Sequence, residues 1–517
     1  MPLRNLDLWR NEIGNEGMKA FSEALSMGAL DKITVLQIAH NQIGDEGMKP
    51  FAEALSKGAL NNLEHLNLTE NKIGDEGMKP FAEALSKGAL NNLKNLDLWR
   101  NTIGDEGMKA FSEALSMGAM DKITVLSFAD NQIGDEGMKP FAEALFKGAL
   151  NNLENLNLKN NKIGNEGMEA FAEALSKGGL TNLDNLNLNW NGIGNQGMKA
   201  FSEALSMGAL NKLTNLQLDD IKIGDRGMKA FSEALSKGAL NNLKNLNLAK
   251  NKIGNEGMKA FVQALSMGAL NHLENLCLSY NEIGDEGLMK AFAKAISKGA
   301  LNNLKNLDLV ENKIGNEGMK AFAQALSMGA LNNLKSLNLN ENEIGDKGMK
   351  SFAEAIYKGV LNNLEILNLC DNKIGNEGMK AFSEALSMEA LNKLKNLELT
   401  RNEIGKEGMK AFAEALSEGA LNNLTNLDFN YNNIGDEGMK VFDEALGALN
   451  NLKNLALEKF MIRGDDSTTS LDLSCKGIND VDMQIICKLF SNGALSNLEY
   501  LNLYNNNNIG PEGSRSS

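Results

Sequence analysis

The string Asn-Xaa-Ile-Gly returns every 30 residues along this chain, from Asn11-Glu12-Ile13-Gly14 and Asn41-Gln42-Ile43-Gly44 to Asn432-Asn433-Ile434-Gly435, within near-identical text. One folding unit has been copied about seventeen times. A period of roughly 20–50 residues marks a solenoid, because one copy cannot bury its own apolar face and must stack on its neighbours. The repetition therefore constrains architecture far more tightly than it constrains chemistry.

One copy, residues 63–90, contains both halves of the unit. Leu66 and Leu68 alternate with His65, Asn67 and Thr69, the period-2 pattern of a short strand with one buried face. Met78, Phe81, Ala84 and Leu85 then fall on one stripe of a helix. Asp75, or Asn15 and Asn165 in other copies, is placed to cap that helix, and Gly88 to end it with Leu90 folding back as the accompanying hydrophobic contact. Pro50, Pro80 and Pro140 lie inside the helical pattern, where a missing amide predicts a loosened first turn or a local kink.

The asparagine follows the strand in fourteen of the fifteen regular copies. There the chain turns inward and leaves backbone groups without sheet partners, and an amide side chain can donate and accept at once, so stacked asparagines would satisfy successive turns. Leu63, Leu66, Leu68, Asn71 and Ile73 match the motif Leu-x-x-Leu-x-Leu-x-x-Asn-x-Leu, so the chain resembles the leucine-rich repeat family. Its repeat length and full helix make it similar to the ribonuclease-inhibitor-like subfamily. The resemblance implies an α/β fold: a right-handed leucine-rich-repeat solenoid, or horseshoe, with a concave parallel β-sheet and convex α-helices.

Departures from the repeat set the expected organisation. Residues 1–446 read as regular repeats, 447–470 as a degenerate repeat and irregular loop, and 471–517 as two further imperfect repeats, the last truncated. Ile221 replaces the ladder asparagine, which predicts a lost rung. One extra residue at Gly287-Leu288-Met289-Lys290 predicts a bulge where a helix begins. Neither terminus has the polar outer face of a solenoid cap, so end-to-end self-association or membership of a longer product is expected.

Composition bounds the function. The chain carries a formal charge of −15, which argues against a nucleic-acid partner, since phosphate tracking needs a basic stripe. No apolar run approaches the roughly 18 residues of a membrane span, and the start lacks a secretory pattern, so a cytoplasmic protein is expected, or a nuclear one. Cys277 and Cys370 lie three repeats apart, about 14 Å at strand spacing, too far to bridge; only Cys475 and Cys487 could pair. Three histidines without His-Glu-x-x-His or Cys-x-x-Cys spacing, and no phosphate-loop pattern, leave no catalytic residue, cofactor or metal site to nominate.

The side chains between the buried strand leucines are the candidate partner-binding residues on the concave face: Trp9, Arg10, His40, His65, Trp99, Arg100, Trp190, Asp219, Asp220, Tyr280, Asp308, Glu311 and Tyr431. Tryptophan and tyrosine dominate interface hot spots. Residues 5–38 recur almost unchanged as 95–128, so Trp9 and Trp99 are copies of one event. Acids outnumber bases fourteen to six at the outward strand positions, which would steer a basic protein or peptide. The expected function is a non-enzymatic protein-protein interaction scaffold. The family resemblance also implies alternatives: a GTPase-activating protein of the Ran GTPase activator type, or an inhibitor or sensor module like ribonuclease inhibitor.

Overall fold

The computed structural model describes residues 3–285, 290–296, 298–457, 460–462, 470–491, 498, 500–504, 506 and 508–510. They fall into two units, Met1–Leu273 and Glu274–Ser517.

In the first unit, three-residue strands from Asn5–Asp7 to Asn245–Asn247 pair in parallel and in chain order, each joined to the next by a helix such as Asp75–Ser86. The register carries Leu36, Leu66, Leu96 and Leu126 side by side. Between the sheet and the helices, Leu66, Leu68, Ile73, Met78, Phe81, Leu85, Leu90 and Leu93 are fully buried. Each large apolar side chain so buried contributes about 1.5–3 kcal/mol, and most of the partners that bury it belong to adjacent repeats.

The helix end matches expectation. Gly88 takes φ +92°, its amide bonds to Leu85 O and that of Ala89 to Ala84 O, the paired bonds of a Schellman motif. The next step differs: Leu90 is itself left-handed, at φ 57°. That conformation costs a non-glycine residue about 1–2 kcal/mol. Full burial of the Leu90 side chain offsets it.

The expected cap is corrected. Asp75 does not cap the helix it opens; no side chain of that helix does. Asp45 Oδ1, one repeat earlier, accepts from the amides of Gly74 and Gly77 at 2.7 and 2.9 Å, and Asp75 in turn accepts from Gly104 and Gly107. A helix N-terminus offers several unsatisfied donors. Stacking sets them against the neighbouring helix, so the cap becomes a bond between repeats. Pro50, Pro80 and Pro140 leave their helices unbroken and as long as the proline-free Asp105–Ser116.

The asparagine ladder forms. Asn71 Nδ2 donates to Ile38 O, Leu68 O and Thr69 O, while its Oδ1 accepts from the amides of Asn41 and Ile43. At Ile221 the rung is lost; one repeat earlier Gly194 takes φ +64° and donates its amide to Ile221 O at 2.9 Å, as Gly14 at φ +61° does to Asn41 O where the asparagine is present. Regular repeats aim the same amide at an aspartate or asparagine of the preceding repeat, as Gly164 does at Asp135. Only glycine makes this change without strain.

In the second unit, parallel strands run from Asn275–Cys277 to Asn454–Leu457. The extra residue lies at 287–290, of which 287–289 are outside the described residues. The loop expected after Phe460 is corrected over its first residues: Phe460–Ile462 turn back as an antiparallel strand, pairing Leu455 with Ile462 and Leu457 with Phe460. Their backbone pairs with an edge that would otherwise expose unpaired groups. Residues 463–469 lie outside the described residues. Ser470–Asp472 and Tyr500–Asn502 form a separate two-stranded parallel sheet, joined through helix Asp480–Ser491, and the ladder resumes at Asn506, whose Oδ1 accepts from the amides of Lys476 and Ile478.

Candidate partner-binding face

The helix-free side of the sheet presents its variable side chains in columns, because the strands are in register. Three columns matter: the outward residue at the end of each strand, the position two residues later, and the turn position that follows.

The strand-end column holds Asp7, Asn67, Asp97, Asn157, Asn187, Asp308 and Asp428. Asp7 Oδ1 accepts from the Trp9 amide, Asn67 from Thr69, Asp97 from Trp99, Asp308 from Val310 and Asp428 from Asn430, at 2.8–3.1 Å. Asparagine and aspartate serve alike, so the acceptor oxygen, not the charge, is what the position uses. These acids therefore also serve the turn, beside any part their charge has in steering a partner. Half-buried Asp308 is the clearest case: burial pushes its carboxyl above the usual carboxylate range, and Cys277 Sγ lies 3.7 Å from it.

The middle column holds Trp9, Trp99 and Asp219. The turn column holds Arg10, His40, Arg100, Trp190, Asp220, Tyr280, Glu311 and Tyr431, all left-handed with φ between 47° and 57°. Every regular repeat shares this conformation, so it belongs to the turn and not to a special site. Trp9 and Trp99 are thus equivalent, and Trp190 stands one position further on. His65 begins its strand and lies away from His40, so the two histidines are not brought together.

Within the first unit the columns are cross-linked. Glu70 bridges two candidates: its Oε2 lies 2.5 Å from His40 Nδ1, and its Oε1 accepts from Arg100 Nη1 at 2.5 Å. These bonds, His40 first, hold the Glu70 carboxyl below the usual carboxylate range. The Trp99 indole donates to Asp130 Oδ2, and Arg100 lies over the Trp99 ring at 5.3 Å. The Trp190 indole donates to Asp219 Oδ2 at 3.0 Å, with Lys159 and Lys250 at 4.4 and 5.9 Å from its ring. Trp9 carries Arg10 at 5.9 Å and faces the His40 ring at 6.4 Å. All three rings stay open to solvent, 58%, 36% and 41% exposed in chain order.

Candidate selection by residue type missed Glu70 and Asp130, which organise this face. The signal was present: read thirty residues apart, His40, Glu70, Arg100 and Asp130 alternate between nitrogen-bearing and carboxylate side chains. In the second unit, Tyr280 is exposed, and burial with the carboxylates Glu341, Glu311 and Asp308 raises its phenol. Tyr431 lies under Arg401 at 5.2 Å. The four cysteines are free, so Cys475 and Cys487 do not pair. Burial pushes the Cys277 and Cys370 thiols up to about 11 and about 12, leaving both as thiols at neutral pH.

No helix among the described residues is long and apolar enough to cross a membrane. No curated protein matches the chain by sequence. Among solved structures it is similar to an internalin from Listeria monocytogenes (21% identity, 88% of this chain and 98% of that one, TM-score 0.48). It is also similar to a structure described as a TDR receptor (17%, 96% and 73%, 0.49). A leucine-rich repeat protein of Leptospira interrogans gives 20% identity, coverage of 88% and 95%, and a TM-score of 0.51, a likeness of fold. The Leucine Rich repeat family matches fourteen segments, from 1–22 through 179–202 and from 239–262 through 420–442, passing over the repeat that carries Ile221. With more than half of its length in those segments and the asparagine ladder in place, the chain belongs to the leucine-rich repeat family.

Proposed function

We propose that this chain is a non-enzymatic scaffold, of the ribonuclease-inhibitor-like type, that holds a protein or peptide on the helix-free face of its sheet. One observation carries the reading. Three indoles stand on a face otherwise mostly polar and charged, each open to solvent, two of them tethered through their N–H groups to Asp130 and Asp219. Fixed aromatic rings lose little freedom on binding and so make efficient anchors. Glu311, with Glu341 and Asp371 in the following turns, supports a partner that is basic over part of its length. The leucine-rich repeat fold is itself typical of protein-protein interaction.

The test is retention of partners from the native lysate by the intact chain and by the Trp9→Ala, Trp99→Ala, Trp190→Ala triple variant. Stoichiometric partners retained by the first and lost by the second support the reading. Identical sets retained by both would remove the indoles from it.

A further inference from the structure

Within the first unit the repeats supply an internal baseline against which one departure at a helix end stands out. Serine fills one place in the last helical turn at Ser26, Ser56, Ser86, Ser116 and Ser176; at the end of helix Asp135–Phe146 the residue is Phe146, 58% exposed. Beside it the surface between this helix and Asn165–Ser176 opens into a cavity of about 360 Å³ floored by Ala142, Ala170 and Ala174. Lys177 Nζ lies 4.8 Å from the Phe146 ring while donating to Glu173 at 2.6 Å. Glu143, on the rim, has no ion-pair partner among the described residues.

An occupant of this notch must bring an apolar group of ring size and, beside it, a cation for Glu143. The patch itself carries both, Phe146 and, 4.8 Å from its ring, Lys177, and an ammonium has three donors of which Glu173 engages one. A surface whose needs and offers are the same pair of features is self-complementary, the condition for a two-fold contact. We propose that two copies of this chain associate through these helices, the Phe146 of each entering the cavity of the other and each Glu143 meeting the partner copy's Lys177. The contact closes on itself as a dimer and leaves the strand face free.

Sedimentation velocity over a concentration series tests this. The intact chain is expected to rise from 56.0 kDa to twice that mass and stop. Phe146→Ser installs the residue that other repeats already carry, so its fold, checked by circular dichroism, is preserved; it should stay monomeric. Glu143→Lys should also stay monomeric, and Glu143→Lys with Lys177→Glu should recover the dimer. Tyr357→Ser, at an equally exposed aromatic of the second unit, should dimerise normally. An intact chain that stays monomeric, a Phe146→Ser variant that still dimerises, or a mass that grows past the dimer would each overturn the proposal.

Discussion

Replacing Asn161 by alanine removes one rung of the ladder from the middle of the first unit. Asn161 Nδ2 donates to Phe128 O, Leu158 O and Lys159 O at 2.9–3.2 Å, and Oδ1 accepts from the Ile133 amide at 3.0 Å. Two of these partners, Phe128 O and the Ile133 amide, belong to the preceding repeat. Phe128 O keeps Asn131 Nδ2 as a donor, so one buried backbone group, the Ile133 amide, is left unpaired, at a cost of about 1–3 kcal/mol. At tenfold per 1.4 kcal/mol, amide exchange between Phe128 and Ile163 should accelerate by about 5-fold or more. The repeat around Asn71 should be unchanged, because each repeat contacts only its neighbours. Acceleration of less than about threefold, or one spread evenly over the chain, would refute the reasoning that the ladder supplies these bonds locally.

Gly77→Ala should destabilise by about 1–3 kcal/mol in urea unfolding, since its Cβ would stand 2.7 Å from Asp45 Oδ1 and displace the cap that crosses between repeats. Trp190→Phe keeps the ring but removes the donor to Asp219, whose other oxygen is already buried without a partner; a loss of about 1–3 kcal/mol is expected, read by thermal unfolding. Because the folded state lowers the Glu70 pKa, the stability it confers is fully present above the unfolded value of about 4.3 and is lost as pH falls through the folded one. Glu70→Gln should therefore lower the urea midpoint at pH 7 and narrow the gap to the intact chain at pH 3, with the two midpoints compared at both pH values.

The strand, the helix and the asparagine were legible because each is a local pattern repeated many times. Two things were not. Asp45 and Asp75 looked like ordinary caps because capping grammar is read within one helix, whereas stacking brings the previous repeat's carboxylate closer. The same blindness hid Glu70 and Asp130: their partners lie thirty residues away in sequence and one strand away in space, so chemistry on this face has to be read down columns. Phe460–Ile462 escaped for a different reason. The residues depart from the repeat, and only the exposed edge of the preceding strand supplies a reason for them to pair.

Under the proposed function the helix-free face, through Trp9, Trp99 and Trp190, holds a protein partner. The most direct test is quantitative capture from native lysate by the intact chain, the triple alanine variant and Phe146→Ser side by side, with mass spectrometry of what each retains. A stoichiometric partner should be kept by the intact chain and by Phe146→Ser and lost by the triple variant. Equal retention by all three, with the triple variant shown to be folded, would contradict that function.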